Sequence, residues 1–223
     1  MAVASPLPAS PSPGEKPPAA ERLQALGGLA QRTKPTALAR EQILPVVPEL
    51  ASLFPGRGVR RGSTVAIAAG TGATSLALAF LAGPSSAGSW CAAVGLPSLG
   101  LVAAAEAGID LARLALVAWP GNEWAAVAAA FVDSLDVVVV QPPGSVKAGD
   151  ARRLSARARE RRAVLVPLGD WPQADVRLEV TRSRWEGLGA GHGHLTRRRL
   201  EVMSGGRGEA AGSRRARLWL PRS

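Results

Sequence analysis

A glycine-rich segment of the chain has the layout of a loop that could hold phosphate groups. Residues 64–80 read TVAIAAGTGATSLALAF, in which an apolar run with β-branched residues is followed by small residues and then by an apolar helical run. In a strand–loop–helix turn of this kind, backbone N–H groups surround the phosphates of a bound nucleotide. The complete motif also requires a lysine directly after its last glycine, because the ammonium group reaches the β- and γ-phosphates.

The lysine of that motif is missing from this chain. Gly72, which follows Gly70 after one intervening residue, is succeeded by Ala73 and Thr74. An alanine side chain carries no charge and is too short to reach a phosphate. Either the protein does not use nucleoside triphosphates as phosphate-loop proteins do, or the segment is not a phosphate loop.

The overall composition sets bounds on the fold and on the partners. The chain has 223 residues, of which 47% are hydrophobic, and this suits one α/β domain with tails or two small domains. Its formal net charge of +10 comes mainly from arginine, since lysine occurs only at positions 16, 34 and 147. Such a charge attracts nucleic acids and acidic proteins, although arginine-rich composition also accompanies a GC-rich genome.

Cysteine and histidine offer little chemistry in this sequence. Cys91 is the single cysteine, which excludes an intrachain disulfide. His192 and His194 flank one glycine without further ligand-type residues nearby, so we predict a hairpin tip there rather than a metal site. We expect neither a metal nor another cofactor.

The N-terminal residues differ in composition from the rest of the chain. Residues 1–20 are rich in proline and lack the basic and apolar regions of a secretory signal, so we expect a disordered leader. Residues 21–44 are a candidate helical segment, with Leu23, Leu26 and Leu29 on one side. The apolar stretch 64–83 is interrupted by Gly-Thr-Gly, which favours a buried strand and helix over a membrane span. We therefore expect a cytoplasmic protein without membrane contact.

From residue 64 onwards, apolar strands alternate with helices. Strands are predicted over 64–68, 90–94, 115–118, 136–141 and 163–168, and helices over 74–81, 98–107, 123–134 and 148–162. Strands that are apolar throughout and alternate with helices indicate an α/β fold whose parallel sheet is covered on both faces. Residues 176–181 and 198–203 alternate in period two instead, which predicts an antiparallel hairpin at the sheet edge. We assign the core to residues 45–204 and a basic C-terminal tail to residues 205–223.

Two basic segments have more than one interpretation. The helix predicted over 148–162 carries six arginines, and these either form a solvated face or contact phosphates or an acidic partner. In the tail, Trp219 lies among arginines, and both residue types are enriched at binding hot spots. The segment around Trp219 is either a partner anchor or a last edge strand of the domain.

The order of these segments resembles the ATPase core of RecA-type recombinases over residues 44–203. The resembling stretches follow the phosphate-loop-like turn and are WCAAVGL at 90–96, AEAGIDLARLAL at 105–116, LDVVVV at 135–140 and VRLEVTR at 176–182. The resemblance implies a RecA-like core with a mainly parallel, helix-covered sheet and a C-terminal antiparallel edge hairpin.

The chain departs from the RecA pattern at the positions that bind and hydrolyse ATP. Besides Ala73 in place of lysine, Gln141 stands where a strand should end in a magnesium-binding aspartate, and Pro97 stands near the position of the catalytic glutamate. An amide is a poor Mg²⁺ ligand, and phosphoryl transfer depends on positioned cations and a base. We therefore expect no enzymatic activity. The degenerate nucleotide-binding loop comprises Gly70, Gly72, Ala73, Thr74 and Gln141.

The segments that would carry DNA-binding loops in a RecA protein are short. Seven residues, GDWPQAD at 169–175, separate the last parallel strand from the edge hairpin. We therefore expect direct DNA binding to be weak or indirect.

Degenerate RecA-like chains of this length and arginine content resemble the ImuA-type (ImuA-prime) proteins of actinobacteria, accessory factors of SOS mutagenesis and translesion synthesis after DNA damage. This resemblance implies a cytoplasmic adaptor, nucleoid-associated when in complex, that binds an ImuB-like, Y-family-related protein and an error-prone C-family DNA polymerase. RecA and a second copy of the chain are further partners to consider. The candidate partner-binding residues are Leu23, Leu26, Leu29, Arg214, Arg215, Arg217 and Trp219.

Two other functions stay open at this point. SulA-type cell-division inhibitors also have a RecA-like fold without a working phosphate loop, and they bind the tubulin-like division protein. The enzymatic alternative is a divergent DNA-dependent ATPase or recombinase paralogue, in which Lys147 or an arginine supplied in trans replaces the missing lysine.

Overall fold

A helix-covered β-sheet makes up most of the part of the chain that the computed structural model describes, residues 42–188 and 193–221. The strands in these residues are β1 (Ile43–Pro45), β2 (Gly58–Arg60), β3 (Val65–Ile67), β4 (Cys91–Val94), β5 (Leu114–Val117), β6 (Val137–Val140), β7 (Val164–Pro167), β8 (Val176–Leu188), β9 (Gly193–Gly206) and β10 (Arg214–Leu220). The α-helices there are α1 (Pro48–Ala51), α2 (Ala73–Ser86), α3 (Leu101–Glu106), α4 (Trp124–Ser134) and α5 (Ala148–Arg161). None of these helices has the length and apolar composition that crossing a membrane requires.

Two four-stranded sheets are joined edge to edge by parallel bridges. The first has the order β5-β4-β6-β7 and is parallel throughout. Its last strand is bridged to β3 at Thr64–Leu165 and at Ile67–Leu168. From β3 the order continues β8-β9-β10, with β8 parallel to β3 and the last three strands antiparallel. The predicted parallel core with an antiparallel edge is therefore confirmed.

Helices cover both faces of the parallel strands, which explains why β3, β4, β6 and β7 are apolar along their whole length. On one face α2 contributes the fully buried Phe80 to the core. On the other face α4 and α5 pack through buried side chains such as Leu154. Trp171, also fully buried there, donates a hydrogen bond from Nε1 to Ser155 Oγ at 3.0 Å.

The antiparallel edge is longer than the sequence pattern predicted. β8 has 13 residues and β9 has 14, whereas period-two alternation gave only 176–181 and 198–203. A bulge between Val180 and Arg182 shifts the alternation of β8 by one residue. Because a bulge of this kind exchanges the two faces of a strand, the pattern beyond it no longer matched the pattern before it.

The predictions for the two ends of the chain are corrected in part. Ile43 and Leu44, expected to be helical, lie in β1, because this strand pairs with β2 and buries Leu44 opposite Val59. The rest of the helical segment and the leader lie outside the described residues. The core boundary at 204 falls inside β9, and the tail contains β10, which pairs with β9 over all seven of its residues and buries Leu218.

Candidate functional site

The glycine-rich turn connects β3 to α2 as the phosphate-loop layout requires. Gly72 immediately precedes the first residue of α2, with a φ of 103°, in the left-handed region that favours glycine. The N–H of Ala73 donates to the carbonyl of Gly70 at 3.1 Å, and the N–H of Leu76 donates to the carbonyl of Gly72 at 2.8 Å. These bonds begin the helix without a side-chain cap.

An arginine from β9 lies at the start of this helix. Arg198 Nη1 donates to Ser75 Oγ at 3.0 Å, although 123 residues separate the two in sequence. The same guanidinium donates from Nε to Ser183 Oγ at 2.7 Å and lies 5.0 Å from the centroid of the Trp185 ring. Two serines and an aromatic ring therefore fix this cation beside the turn.

The hairpin also packs closely against the turn itself. A Cβ atom added at Gly72 would lie 3.1 Å from Leu200 Cδ2, 3.2 Å from Val180 Cγ1 and 3.5 Å from Arg198 Nη2. Ala73, at the position of the missing lysine, is buried, and Thr74 is half-buried. Side chains of β8 and β9 thus cover the turn at Gly72, whereas Gly70 and Thr71 are exposed and nothing lies within 4 Å of a Cβ atom added at Gly70.

The described contacts of the Arg198 guanidinium are all with neutral groups. Burial lowers the pKa of its guanidinium, but arginine stays protonated at neutral pH. In the described part of the chain, no carboxylate forms an ion pair with Arg198. Both of its described hydrogen-bond acceptors are neutral serine hydroxyls.

Gln141 and Pro97, the two other positions that the resemblance singled out, lie after the neighbouring strands β6 and β4. Gln141 follows β6 directly, with its side chain exposed and its N–H donating to the carbonyl of Val94 at 2.8 Å. A Cβ atom at Gly95 would lie 2.1 Å from the carbonyl oxygen of Gln141, so only glycine allows the two strand ends to meet this closely. Pro97 is exposed in the loop that follows β4. The strand β7 separates Gln141 from the turn after β3.

Within residues 42–188 and 193–221, no three histidine, cysteine or acidic side chains lie close enough together to bind a metal ion. His192 lies outside the described residues, and so does the side chain of His194. Cys91 is buried in β4, and burial raises the pKa of its thiol to about 12, with a further contribution from the Asp136 carboxylate. This environment is typical of a buried cysteine that does not react.

The leucines and two of the arginines of β10 lie on opposite faces of the strand. Leu218 and Leu220 face the core, whereas Arg215 and Arg217 are exposed. The Trp219 ring contacts two guanidinium groups, with the Cζ of Arg197 4.5 Å and that of Arg199 5.7 Å from its centroid. This segment is therefore an edge strand of the domain. The candidate residues Leu23, Leu26 and Leu29 lie outside the described residues.

Most arginines of α5 are engaged with neighbouring carboxylates. Arg157 and Arg161 both donate to Asp133 on α4, and Arg157 does so with Nε at 2.7 Å and Nη2 at 2.5 Å. Arg153 pairs with Asp150, and Arg159 lies 3.6 Å from Asp175. The solvated interpretation of this helix is therefore favoured.

Sequence reasoning missed the contact between Arg198 and the turn. Arg198 was visible only as one member of an arginine run, RRR at 197–199. Its inward position follows from the strand register, in which Arg198 stands opposite Trp185 beyond the bulge. The sequence did contain one signal. Leu200 and Val202 are apolar and alternate with polar residues, so the even-numbered Arg198 belongs to the same inward face of the strand.

Comparisons with known proteins agree with this architecture. A model of the MT3502 N-terminal domain family matches residues 52–173. Rv3395c, an uncharacterized protein of Mycobacterium tuberculosis, is 38% identical over 146 residues, which are 61% of this chain and 72% of that protein. The crystal structure of the RadB recombinase aligns with a TM-score of 0.55 at 15% identity, over 76% of this chain and 91% of that one. The likeness to RadB supports the RecA-like fold and nothing beyond the fold.

Proposed function

The chain belongs to the MT3502 N-terminal domain family, and from this membership and its RecA-like fold we propose that it is a non-enzymatic accessory protein. In this proposal the domain docks partner proteins of a translesion synthesis complex that forms after DNA damage. The observation that carries the proposal is the state of the phosphate-loop turn. Ala73 replaces the lysine, and the arginine nearest the turn already donates to Ser75 and Ser183.

The proposed partners are an ImuB-like, Y-family-related protein and an error-prone C-family DNA polymerase. What supports them is the resemblance of the degenerate RecA-like chain to ImuA-type proteins of actinobacteria, together with a relative from a mycobacterium. RecA and a second copy of the chain are further candidates. The complex would be cytoplasmic and associated with the nucleoid.

The first experiment tests whether the turn binds nucleotide. We expect titration of the full chain with a fluorescent ATP analogue and Mg²⁺ to show no saturable binding, and we expect no phosphate release with or without single-stranded DNA. The variant Arg198→Ala separates two interpretations. If the arginine replaced the missing lysine, the wild type would bind nucleotide and this variant would lose that binding, which would overturn the proposal.

The second experiment tests the partners by co-purification. The tagged chain is expressed with the ImuB-like protein and the C-family polymerase, and separately with the tubulin-like division protein of the same bacterium. Capture of the polymerase components supports the adaptor function. Capture of the division protein alone would favour the SulA-type alternative, and ATP-dependent filaments on single-stranded DNA would favour a recombinase.

The docking residues are best tested by point substitution instead of truncation. Deleting residues 205–223 would remove β10 together with the buried Leu218 and Leu220, and would expose their partners on β9. The exposed Arg215 and Arg217 can be replaced by glutamine without touching the core. Capture that is unchanged in this double variant would exclude the outer face of β10 as the docking site.

A further inference from the structure

The outer face of the antiparallel edge is an ordered array of arginines on three adjacent strands. Opposite residues form the row Arg182–Glu201–Arg217 and the row Arg184–Arg199–Trp219 across β8, β9 and β10. Arg197 stands opposite Glu186 at one end of this array, and Arg215 stands opposite Met203 at the other. We call this surface the arginine face, with its six arginines Arg182, Arg184, Arg197, Arg199, Arg215 and Arg217.

One cross-strand pair on this face is unfavourable within the domain itself. Arg184 of β8 and Arg199 of β9 are direct partners in the register, and like charges in that position repel each other. The Trp219 ring contacts the guanidinium of Arg199 but contributes no negative charge. An anion bound between the two guanidinium groups would reduce this repulsion.

The carboxylates near this face neutralise only part of the charge. Glu186 accepts a hydrogen bond from Arg197 at 3.0 Å, and Glu201 is shared between Arg199 at 3.9 Å and Arg217 at 3.5 Å. In the described residues, Arg182, Arg184 and Arg215 form no ion pair, and all three are exposed. The arginines of α5 differ in this respect, since Asp133, Asp150 and Asp175 engage most of them.

The chemistry of the arginine face indicates its kind of partner. Arginine and tryptophan also occur at protein–protein interfaces, but those interfaces usually have an apolar centre depleted of charge, whereas surfaces that bind nucleic acid are more polar and much more positively charged. The array holds six arginines, two glutamates, Met203 and one tryptophan, Trp219, whose ring already contacts Arg197 and Arg199. Guanidinium groups bind phosphate through paired N–H donors.

We propose that the arginine face binds the phosphodiester backbone of single-stranded nucleic acid, without base recognition. Arginines two residues apart on one strand are about 6.8 Å apart, and neighbouring strands are about 4.8 Å apart. A flexible single strand can bring successive phosphates onto such a broad, two-dimensional array, whereas a rigid duplex meets a flat sheet along a narrow line. This binding is separate from the proposed docking of partner proteins. It would be a direct contact with nucleic acid, whereas the short loops in the sequence had led us to expect weak or indirect binding.

The test measures fluorescence anisotropy of a labelled oligothymidylate titrated with the full chain at several salt concentrations. For six phosphate contacts, the logarithm of the association constant should fall with the logarithm of salt concentration with a slope of about −4. An oligouridylate of equal length should bind within about threefold of the oligothymidylate, because the contacts are to the shared backbone.

Two double variants separate a site from a general effect of net charge. Arg182→Gln with Arg184→Gln removes two unpaired arginines from the face, and Arg60→Gln with Arg152→Gln removes two exposed arginines elsewhere that form no ion pair within the described residues. The first pair should weaken binding on the order of tenfold at 0.1 M salt and reduce the slope by about 1.4. The control pair should change affinity less than about twofold. If the β8 variant does not fold, Arg215→Gln on β10 tests the same face alone and should weaken binding several-fold.

Four outcomes would overturn the proposal: no saturable binding by the wild type, equal losses in the face and control variants, tighter binding of a duplex than of the single strand, and preferential binding of an acidic peptide such as oligoglutamate. The last outcome would identify the face as a protein-docking surface. Failure of nucleic-acid binding leaves the co-purification result unaffected, so the two proposals can fail separately.

Discussion

Arg198 on β9 donates a hydrogen bond to Ser75 in the first turn of α2, with 3.0 Å between Nη1 and Oγ. The bond links the antiparallel edge of the sheet to the helix that follows the glycine-rich turn. Because the turn has lost the lysine that defines its usual chemistry, we interpret the bond as part of the packing between hairpin and helix.

Replacing Arg198 by alanine should reduce stability. The variant loses the hydrogen bonds to Ser75 and Ser183 and the contact with Trp185, and hydrogen bonds to a charged group are worth about 1.5–3 kcal/mol. We expect a loss of about 2 kcal/mol in the free energy of unfolding, measured by urea denaturation. Arg60→Ala, on the exposed side of β2, should change it by less than about 0.5 kcal/mol. Equal effects of the two variants would contradict the structural role.

Gly72 should be one of the least replaceable residues of the turn. A Gly72→Ala variant places a Cβ atom 3.1 Å from Leu200 and 3.2 Å from Val180, at a φ of 103° that side chains rarely adopt. We expect a loss of about 1–3 kcal/mol in unfolding free energy. Gly144→Ala is the matched control, because nothing lies within 4 Å of its added Cβ and its φ is not in the left-handed region. A tolerated Gly72→Ala would show that the hairpin does not close on the turn.

The fold was accessible from the sequence because its signals are local. Four consecutive valines in β6 are predictable as a buried strand, and the alternation of such strands with helices indicates the parallel sheet. The turn before α2 was visible for the same reason, since its strand, glycines and helix are contiguous. The local pattern therefore predicted the α/β class and the position of the glycine-rich turn between a strand and a helix.

The contact between Arg198 and Ser75 was not accessible, because it depends on which distant elements pack together and not on a local pattern. The alternation of β9 with the buried Leu200 and Val202 indicates that Arg198 points inward, but the bulge after Val180 in β8 hides which residues of that strand lie beside it. The arginine face has the same origin, as it requires three strands in one register. Strand β10 was ambiguous in sequence for a related reason, since a short apolar patch between arginines fits both an anchor and an edge strand.

The C-terminal strand should contribute to the stability of the domain. Leu218 is 2% exposed and belongs to the main core cluster, so Leu218→Ala should cost about 2–5 kcal/mol. Arg217→Gln, one residue earlier on the exposed face, should cost less than about 0.5 kcal/mol. Urea denaturation of both variants measures the difference. A small effect of Leu218→Ala would mean that this strand detaches from the domain in solution.

Asp133 should make the stability of the domain sensitive to acid. The hydrogen bond from Arg157, with the positive charges of Arg157 and Arg161, holds the pKa of this carboxyl below its usual value in the folded state. A carboxyl with a depressed folded pKa contributes stability above its unfolded pKa of about 3.9, and this contribution disappears as the pH falls through the folded value. Asp133→Asn should therefore be less stable than the wild type at pH 7, and the difference should shrink below about pH 4. Thermal denaturation across this range measures it, and a constant difference would contradict the assigned ion pair.

Cys91 provides a chemical probe of whether the parallel sheet opens. Its side chain is fully buried in β4, and burial, with the nearby Asp136 carboxylate, raises the thiol pKa to about 12. Because the thiolate is the reactive form, labelling by a disulfide reagent at pH 8 should be at least about a thousand-fold slower in the folded chain than in denaturant.

One thiol per chain should react after unfolding, since Cys91 is the only cysteine, and a Cys91→Ala variant should not react. Rapid stoichiometric labelling of the native chain would show that β4 is exposed. If labelling is slow and its rate follows the unfolding rate in urea, then β4 opens only with the whole domain, as expected for a strand paired on both sides by β5 and β6.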